Sequence, residues 1–160
     1  MKSLSELSLE IATKYHAGQT RWDKKIPYIS HPIKVAELAK ELYPKFYGNC
    51  DSLDIQFVES VALLHDVLED CDITEEILLK ELDIYDKPFI YYPATVLKSV
   101  KAITKNADKS AESYLEYILR AKSLPYSRVV KIADITHNSS DLKPGSMKDK
   151  YSLAKYILEN

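Results

Sequence analysis

A chain of 160 residues with 46% hydrophobic residues and a formal net charge of −2 can bury one sizeable core, and it carries too little charge to be drawn to nucleic acid or a membrane surface. Two cysteines, Cys50 and Cys71, make no disulfide framework and fit a reducing cytoplasm. The N-terminus lacks a signal-peptide core, and no apolar run approaches the ~20 residues of a membrane span.

In chain order the pattern is helical almost throughout, which predicts an all-α helical bundle forming one domain over residues 1–160. Leu4, Leu7, Ile11 and Tyr15 recur at helical spacing and mark a first helix. Ser30, followed by His31 and Pro32, starts a second: Ser can cap, and Pro is tolerated in the first turn. It runs through Val35, Leu38, Ala39 and Leu42 until Pro44 stops it. Asp51 or Ser52 opens a third helix that ends near Asp70. Thr74 with Glu75 and Glu76 starts a short one, where early acids favour the helix dipole. The stretch from Lys80 to Tyr92 is the least regular, and its aromatics Phe89, Tyr91 and Tyr92 pack either beside a site or only on the core. Pro93 opens a helix through Val96, Leu97, Val100 and Ile103. Helices over 109–122, 125–141 and 147–159 complete the chain. The last reads as an ordinary amphipathic tail. None of the three glycines lies in a phosphate-cradling loop, which argues against a P-loop or dinucleotide fold.

The densest chemistry lies in the run from Val61 to Asp70, where His65-Asp66 is followed by Glu69-Asp70. On a helix at about 100° per residue, His65, Glu69, Asp66 and Asp70 span an arc of about 140°. Val61, Leu63, Leu64, Val67 and Leu68 fill the buried remainder, and Ala62 is too small to crowd a ligand. Three carboxylates on one surface repel one another unless a cation or water screens them. More ligands are needed elsewhere, and two segments can supply them: Pro27 to Pro32, with His31, and Val129 to Asn138, with Asp134. In a helix Asp134 and Asn138 are i,i+4 neighbours. His31, His65, Asp66 and Asp134 then form an N/O ligand set without thiolate, suited to manganese, iron or zinc.

The segments His16-Ala17-Gly18-Gln19-Thr20-Arg21, Pro27-Tyr28-Ile29-Ser30-His31-Pro32, Ala62 to Asp70 and Val130 to Asn138 carry a resemblance. Their order His…His-Asp…Asp resembles the HD-domain phosphohydrolases. It is most similar to the hydrolase domain of RelA/SpoT-type alarmone enzymes and to the stand-alone small alarmone hydrolases, over roughly residues 10–142. The resemblance implies an HD-domain helical bundle in which His31, His65, Asp66 and Asp134 bind manganese. It implies that Glu69 and Asp70 are the catalytic acidic pair, and that Arg21 and Asn138 match positions contacting the nucleotide. The implied activity is removal of the 3′-pyrophosphate of (p)ppGpp, releasing GDP or GTP and pyrophosphate. The rival readings are another HD nucleotide phosphohydrolase (a 5′-nucleotidase or an NADPH 2′-phosphatase) and a non-catalytic metal-dependent sensor.

Departures from the family pattern are Cys71 for Thr, Ile135 for Arg, Ser140-Asp141 for a basic residue and Thr, and a loop from Arg21 to Pro27 one residue longer that carries Trp22. They spare the metal ligands and fall where base recognition is expected. Phosphate grip falls to Arg21, aided by Lys24 or Lys25, although lysines such as Lys24, Lys25 and Lys131 are more often simply solvated. His137 points roughly 60° from Asp134 on the helix wheel, which makes it a supporting residue rather than a ligand. The twelve tyrosines read as core and surface filling. The expected partner is a small nucleotide, with no nucleic acid and no membrane.

Overall fold

The computed structural model describes residues 2–22, 24–83, 91–108, 110–140 and 142–160, with the Tyr91 side chain outside that set. Among the described residues the order is α1 (Leu4–Tyr15), α2 (Ser30–Tyr47), α3 (Ser52–Leu64), α4 (Val67–Asp70), α5 (Glu75–Asp83), α6 (Tyr91–Ile103), α7 (Tyr114–Lys122), α8 (Pro125–Ser139) and α9 (Ser146–Glu159). Extended pairing among them is confined to one antiparallel bridge between Thr20 and Pro27. The all-α bundle is the expected class.

Helix starts follow local chemistry. Ser3, Asp51 and Ser113 each accept a backbone N–H of the first turn while Glu6, Asp54 and Glu116 reach back to the cap N–H. Such reciprocal caps satisfy donors that the helix itself leaves unpaired. The cap at Ser113 sets the start of α7, later than the predicted residue 109. At α2 the cap position is Ile29, and the Ser30 hydroxyl instead donates to Pro27 O at 2.8 Å. Pro44 does not stop α2, which continues to Tyr47 and ends at Gly48, whose φ of 74° suits glycine. One lost N–H near the helix end is offset by packing: Arg128 covers the Phe46 ring at 5.2 Å and Tyr43 stacks on Tyr126 at 5.3 Å.

α3 runs through the core and packs against α1, α2, α6 and α8, while α9 lies on α7 and α8. Val58, Val61, Leu64, Val67, Val129, Val130 and Ile132 are among the buried residues that fuse these faces. Burying side chains of this size stabilises by about 1.5–3 kcal/mol each. Tyr92 packs edge-on against Phe57 at 5.2 Å and so joins the core, while Phe89 and the Tyr91 side chain lie outside the described residues. No helix among the described residues is long and apolar enough to cross a membrane.

Candidate active site

The predicted continuous helix to Asp70 is broken. α3 ends at Leu64, and Asp66, at φ −99° and ψ −6°, restarts the chain as α4. On an unbroken helix adjacent residues diverge by about 100°. The break lets neighbouring side chains converge, and His65 Nε2 comes 2.9 Å from Asp66 Oδ2. The start of α2 brings His31 Nε2 to 3.5 Å from the same Asp66 oxygen and 3.2 Å from Asp134 Oδ1. Asp134, from the middle of α8, is 3.8 Å from His65 Nε2. Four residues from three separated segments thus meet at one point.

His65 Nδ1 lies 2.7 Å from the carbonyl of Ala62. A carbonyl only accepts, so Nδ1 carries the proton and Nε2 of the neutral ring presents a lone pair. That buried Nε2 has no hydrogen-bond partner, although two carboxylate oxygens face it. With the ring neutral, acceptors face acceptors, and either a proton on Nε2 or a bound cation must lie between them. Burial works against a charge on His65, yet Asp66 and Asp134 hold its pKa up to about 10. Burial pushes the His31 imidazole below its usual range, against the pull of Asp134. Ligand atoms of His31, His65 and Asp66 lie within 4.8 Å of one another, so these three could hold a metal ion.

Supporting contacts orient the cluster. His31 Nδ1 and His137 Nδ1 are 2.7 Å apart, and their rings stack at 4.9 Å. His137 is therefore a partner of His31, as its helix angle predicts. Asn138 Nδ2 donates to Asp134 Oδ1 at 2.6 Å, and the Lys131 ammonium bonds Asp134 Oδ2 at 2.7 Å. Lys131 is buried rather than solvated, held by Asp134 and by the Tyr117 ring at 5.2 Å. Burial opposes both charges of this pair, but Lys131 and the two imidazoles hold the Asp134 carboxyl well below the usual range.

The acidic pair sits beside the cluster. Glu69 accepts from the Lys105 ammonium at 2.6 Å and from the Lys105 backbone N–H at 3.1 Å. Asp70 Oδ2 is 3.2 Å from the Tyr28 hydroxyl, which donates to Asp66 Oδ2 at 2.6 Å. Burial first, and then the Asp66 charge, push the Asp70 carboxyl above its usual range. The His16 ring lies tilted against the Tyr28 ring, centroids 4.7 Å apart. Gln19 donates to the Asp70 carbonyl at 3.0 Å. Cys71, the departure next to the acidic pair, has its Sγ 3.4 Å from His16 Nδ1.

A cleft of about 340 Å³ opens over these groups, walled by Asp66, Asp134, Glu69, Asp70, Tyr28, Tyr117, Lys105, Lys131 and Lys150 among others. Lys150 lies 3.8 Å over the Tyr114 ring. A second chamber of about 500 Å³ adjoins it through Asn138, Met147 and Tyr151 and adds Arg21, Trp22, His137 and Leu142. Arg21 Nη2 donates to Asn138 Oδ1 at 3.2 Å, so the two predicted nucleotide contacts do meet. Lys24 does not join them. It is exposed, at φ 58°, and lines neither chamber. Ile135 is 2% exposed in the core, which removes that departure from the cleft. Asp141 lies outside the described residues.

Sequence reasoning did not single out Tyr28, Lys105 or Lys150. Tyr28 stood inside a quoted motif, three residues before His31. Lys105 lies 36 residues beyond Glu69, with no local signal linking them. The tyrosines were expected to be filler, but Tyr28, Tyr114, Tyr117 and Tyr151 wall the cleft. The final helix is more than a docked tail, because Met147, Lys150 and Tyr151 line it too.

The chain belongs to the HD domain family, whose model matches residues 28–139. It is 31% identical, over 95% of its length, to the guanosine-3′,5′-bis(diphosphate) 3′-pyrophosphohydrolase of Vibrio cholerae, covering 20% of that protein. It is 30% identical, over 83% of its length, to the human guanosine-3′,5′-bis(diphosphate) 3′-pyrophosphohydrolase MESH1, covering 66% of that chain. It therefore spans about a fifth of the bacterial relative and two thirds of the human one. A solved structure of a metazoan ortholog of SpoT that hydrolyzes ppGpp superposes with a TM-score of 0.65 at 24% identity, covering 99% of this chain and 84% of that one. That likeness establishes the fold.

Proposed function

We propose that the chain is a single-domain, metal-dependent hydrolase that removes the 3′-pyrophosphate of ppGpp and pppGpp, giving GDP or GTP and pyrophosphate in the cytoplasm. One observation carries this reading. An acidic pair, Glu69 and Asp70, stands beside a His/His/Asp/Asp cluster at the floor of a cleft that also holds Lys105, Lys131 and Lys150. The buried Nε2 of His65 stands 2.9 Å from Asp66 Oδ2 and 3.8 Å from Asp134 Oδ1, a junction that a divalent ion would hold together in place of a proton. The activities named for the Vibrio cholerae and human relatives support the same substrate.

His31, His65, Asp66 and Asp134 would hold a divalent ion, with manganese our choice for this N/O set. When bound, such an ion polarises a phosphoryl oxygen and acidifies a nearby water. The protein groups supply the rest. Glu69, held by Lys105, takes the proton of the attacking water. Asp70, whose surroundings favour its protonated form, gives a proton to the leaving 3′-oxygen. A new bond forms from water oxygen to the phosphorus on O3′, the P–O3′ bond breaks, and pyrophosphate leaves whole. Lys105, Lys131 and Lys150 neutralise the phosphates. Arg21 and Asn138 face the nucleoside end, in the adjoining chamber.

Chromatography of products from ppGpp, ppApp, NADPH and dAMP, with manganese present, tests the reading. GDP and intact pyrophosphate from ppGpp are expected. Orthophosphate from NADPH or dAMP, with ppGpp untouched, would move the chain to another HD phosphohydrolase activity.

A further inference from the structure

We propose that Trp22 is a specificity-determining residue that stacks on the purine of the bound nucleotide, making recognition general for purines rather than selective for guanine. The inference rests on the nucleotide reading above and adds a residue of this chain to it.

Trp22 stands 77% exposed at the mouth of the second chamber, and Met147, 52% exposed, lines the same chamber from the start of α9. A single exposed apolar residue needs no explanation. Here two large ones from distant segments flank a chamber that shares Asn138, Met147 and Tyr151 with the cleft holding Lys105, Lys131 and Lys150. Phosphates held by Lys105, Lys131 and Lys150 would leave the nucleoside end facing that chamber.

The turn that carries Trp22 is pinned. Arg21 N–H donates to Ile26 O at 2.8 Å, Tyr28 N–H donates to Gln19 O at 2.9 Å, and Lys24 N–H donates back to Arg21 O at 2.8 Å. The Arg21 side chain is tied to Asn138 and lies 5.9 Å over the Tyr28 ring. The tryptophan is thus presented from a fixed base.

The chamber offers few groups to read a base edge: Arg21 is tied to Asn138, which leaves the Tyr151 hydroxyl as its main hydrogen-bonding group. The Asn138 amide is engaged at both ends, accepting from Arg21 and donating to Asp134. Leu142, Met147 and Trp22 are apolar, and the His137 ring is stacked on His31. A site built to hydrogen-bond its ligand rejects analogues strongly, whereas an apolar site does not. Stacking tolerates any base, because every base has a π-face.

Trp22 is the only tryptophan of the chain, so intrinsic fluorescence reports on it directly. In the full-length protein, GDP and ADP should both quench emission saturably, and pyrophosphate alone should not. Calorimetry should show Trp22→Ala binding GDP and ADP about 5- to 150-fold more weakly, with pyrophosphate binding unchanged and Trp22→Phe close to wild type. GDP bound calorimetrically without quenching, equal GDP affinity in Trp22→Ala, or a large GDP preference over ADP would overturn the role of Trp22 while leaving nucleotide hydrolysis standing. Absence of any GDP binding, together with no turnover of ppGpp, would overturn both readings.

Discussion

The Tyr28 hydroxyl is 2.6 Å from Asp66 Oδ2 and has a single proton to give. It shares that proton unequally, donating closely to Asp66 and more weakly toward Asp70 Oδ2 at 3.2 Å. One phenol therefore ties the ligand cluster to the acidic pair. Hydrogen bonds to charged groups contribute about 1.5–3 kcal/mol. Tyr28→Phe should lower kcat by about 10- to 150-fold while KM and metal content stay close to wild type. Steady-state kinetics on ppGpp would check this, and a variant that loses its ion instead would show Tyr28 to be a prop for the metal site.

Metal loss should be equally specific. Purified protein should hold about one divalent ion per chain. His65→Ala and Asp66→Ala should abolish both the ion and turnover, and chelation followed by manganese should restore wild-type turnover only. Elemental analysis measures the first effect. Full occupancy in both variants would remove the proposed ligands.

Glu69→Gln and Asp70→Asn should keep the ion and lose about 10²- to 10⁴-fold in kcat, the span of general acid–base groups. Lys105→Met should fall between wild type and Glu69→Gln, because it frees the glutamate it grips without removing it. Equal kcat in all three variants and wild type would take the pair out of the chemistry.

Stability should carry a pH signature at Asp70. Its carboxyl is raised above the ordinary 3.8 by burial and by the Asp66 charge. A raised carboxyl favours the folded state below the unfolded pKa, and that contribution is lost as pH rises through the folded value. In metal-free protein, Asp70→Asn should therefore raise Tm at neutral pH, and the difference should vanish below about pH 3.8. Thermal melts across that range provide the check; a neutral-pH Tm below that of wild type would contradict the assignment of burial as the dominant effect.

Much of this was legible in the chain. Periodicity located the helices because each buries one face, as with Leu4, Leu7 and Ile11 in α1. Ligand candidates could be named because His65-Asp66 and Asp134 stand among apolar neighbours, where an unpaired charge is expensive. The break at Asp66 was not legible, since nothing between Ala62 and Asp70 is a helix breaker; tertiary contacts to His31 and Asp134 accompany it. Pro44 misled because packing of Phe46 outweighs one lost backbone bond. Lys131 looked solvated because the pattern of its neighbours does not disclose that Tyr117, fourteen positions upstream, covers it.

The joint between α3 and α4 is held from both sides. His65 and Asp66 are bracketed by Leu64 and Val67, both fully buried. Adjacent residues cannot swing apart without rotating one of those side chains out of the interior, at a cost of several kcal/mol. Under the proposed assignment, the ion cannot leave by local fraying of this segment. It would leave instead through the cleft that His31, Asp66 and Asp134 line, so a chelator should strip the metal from the folded chain without melting it.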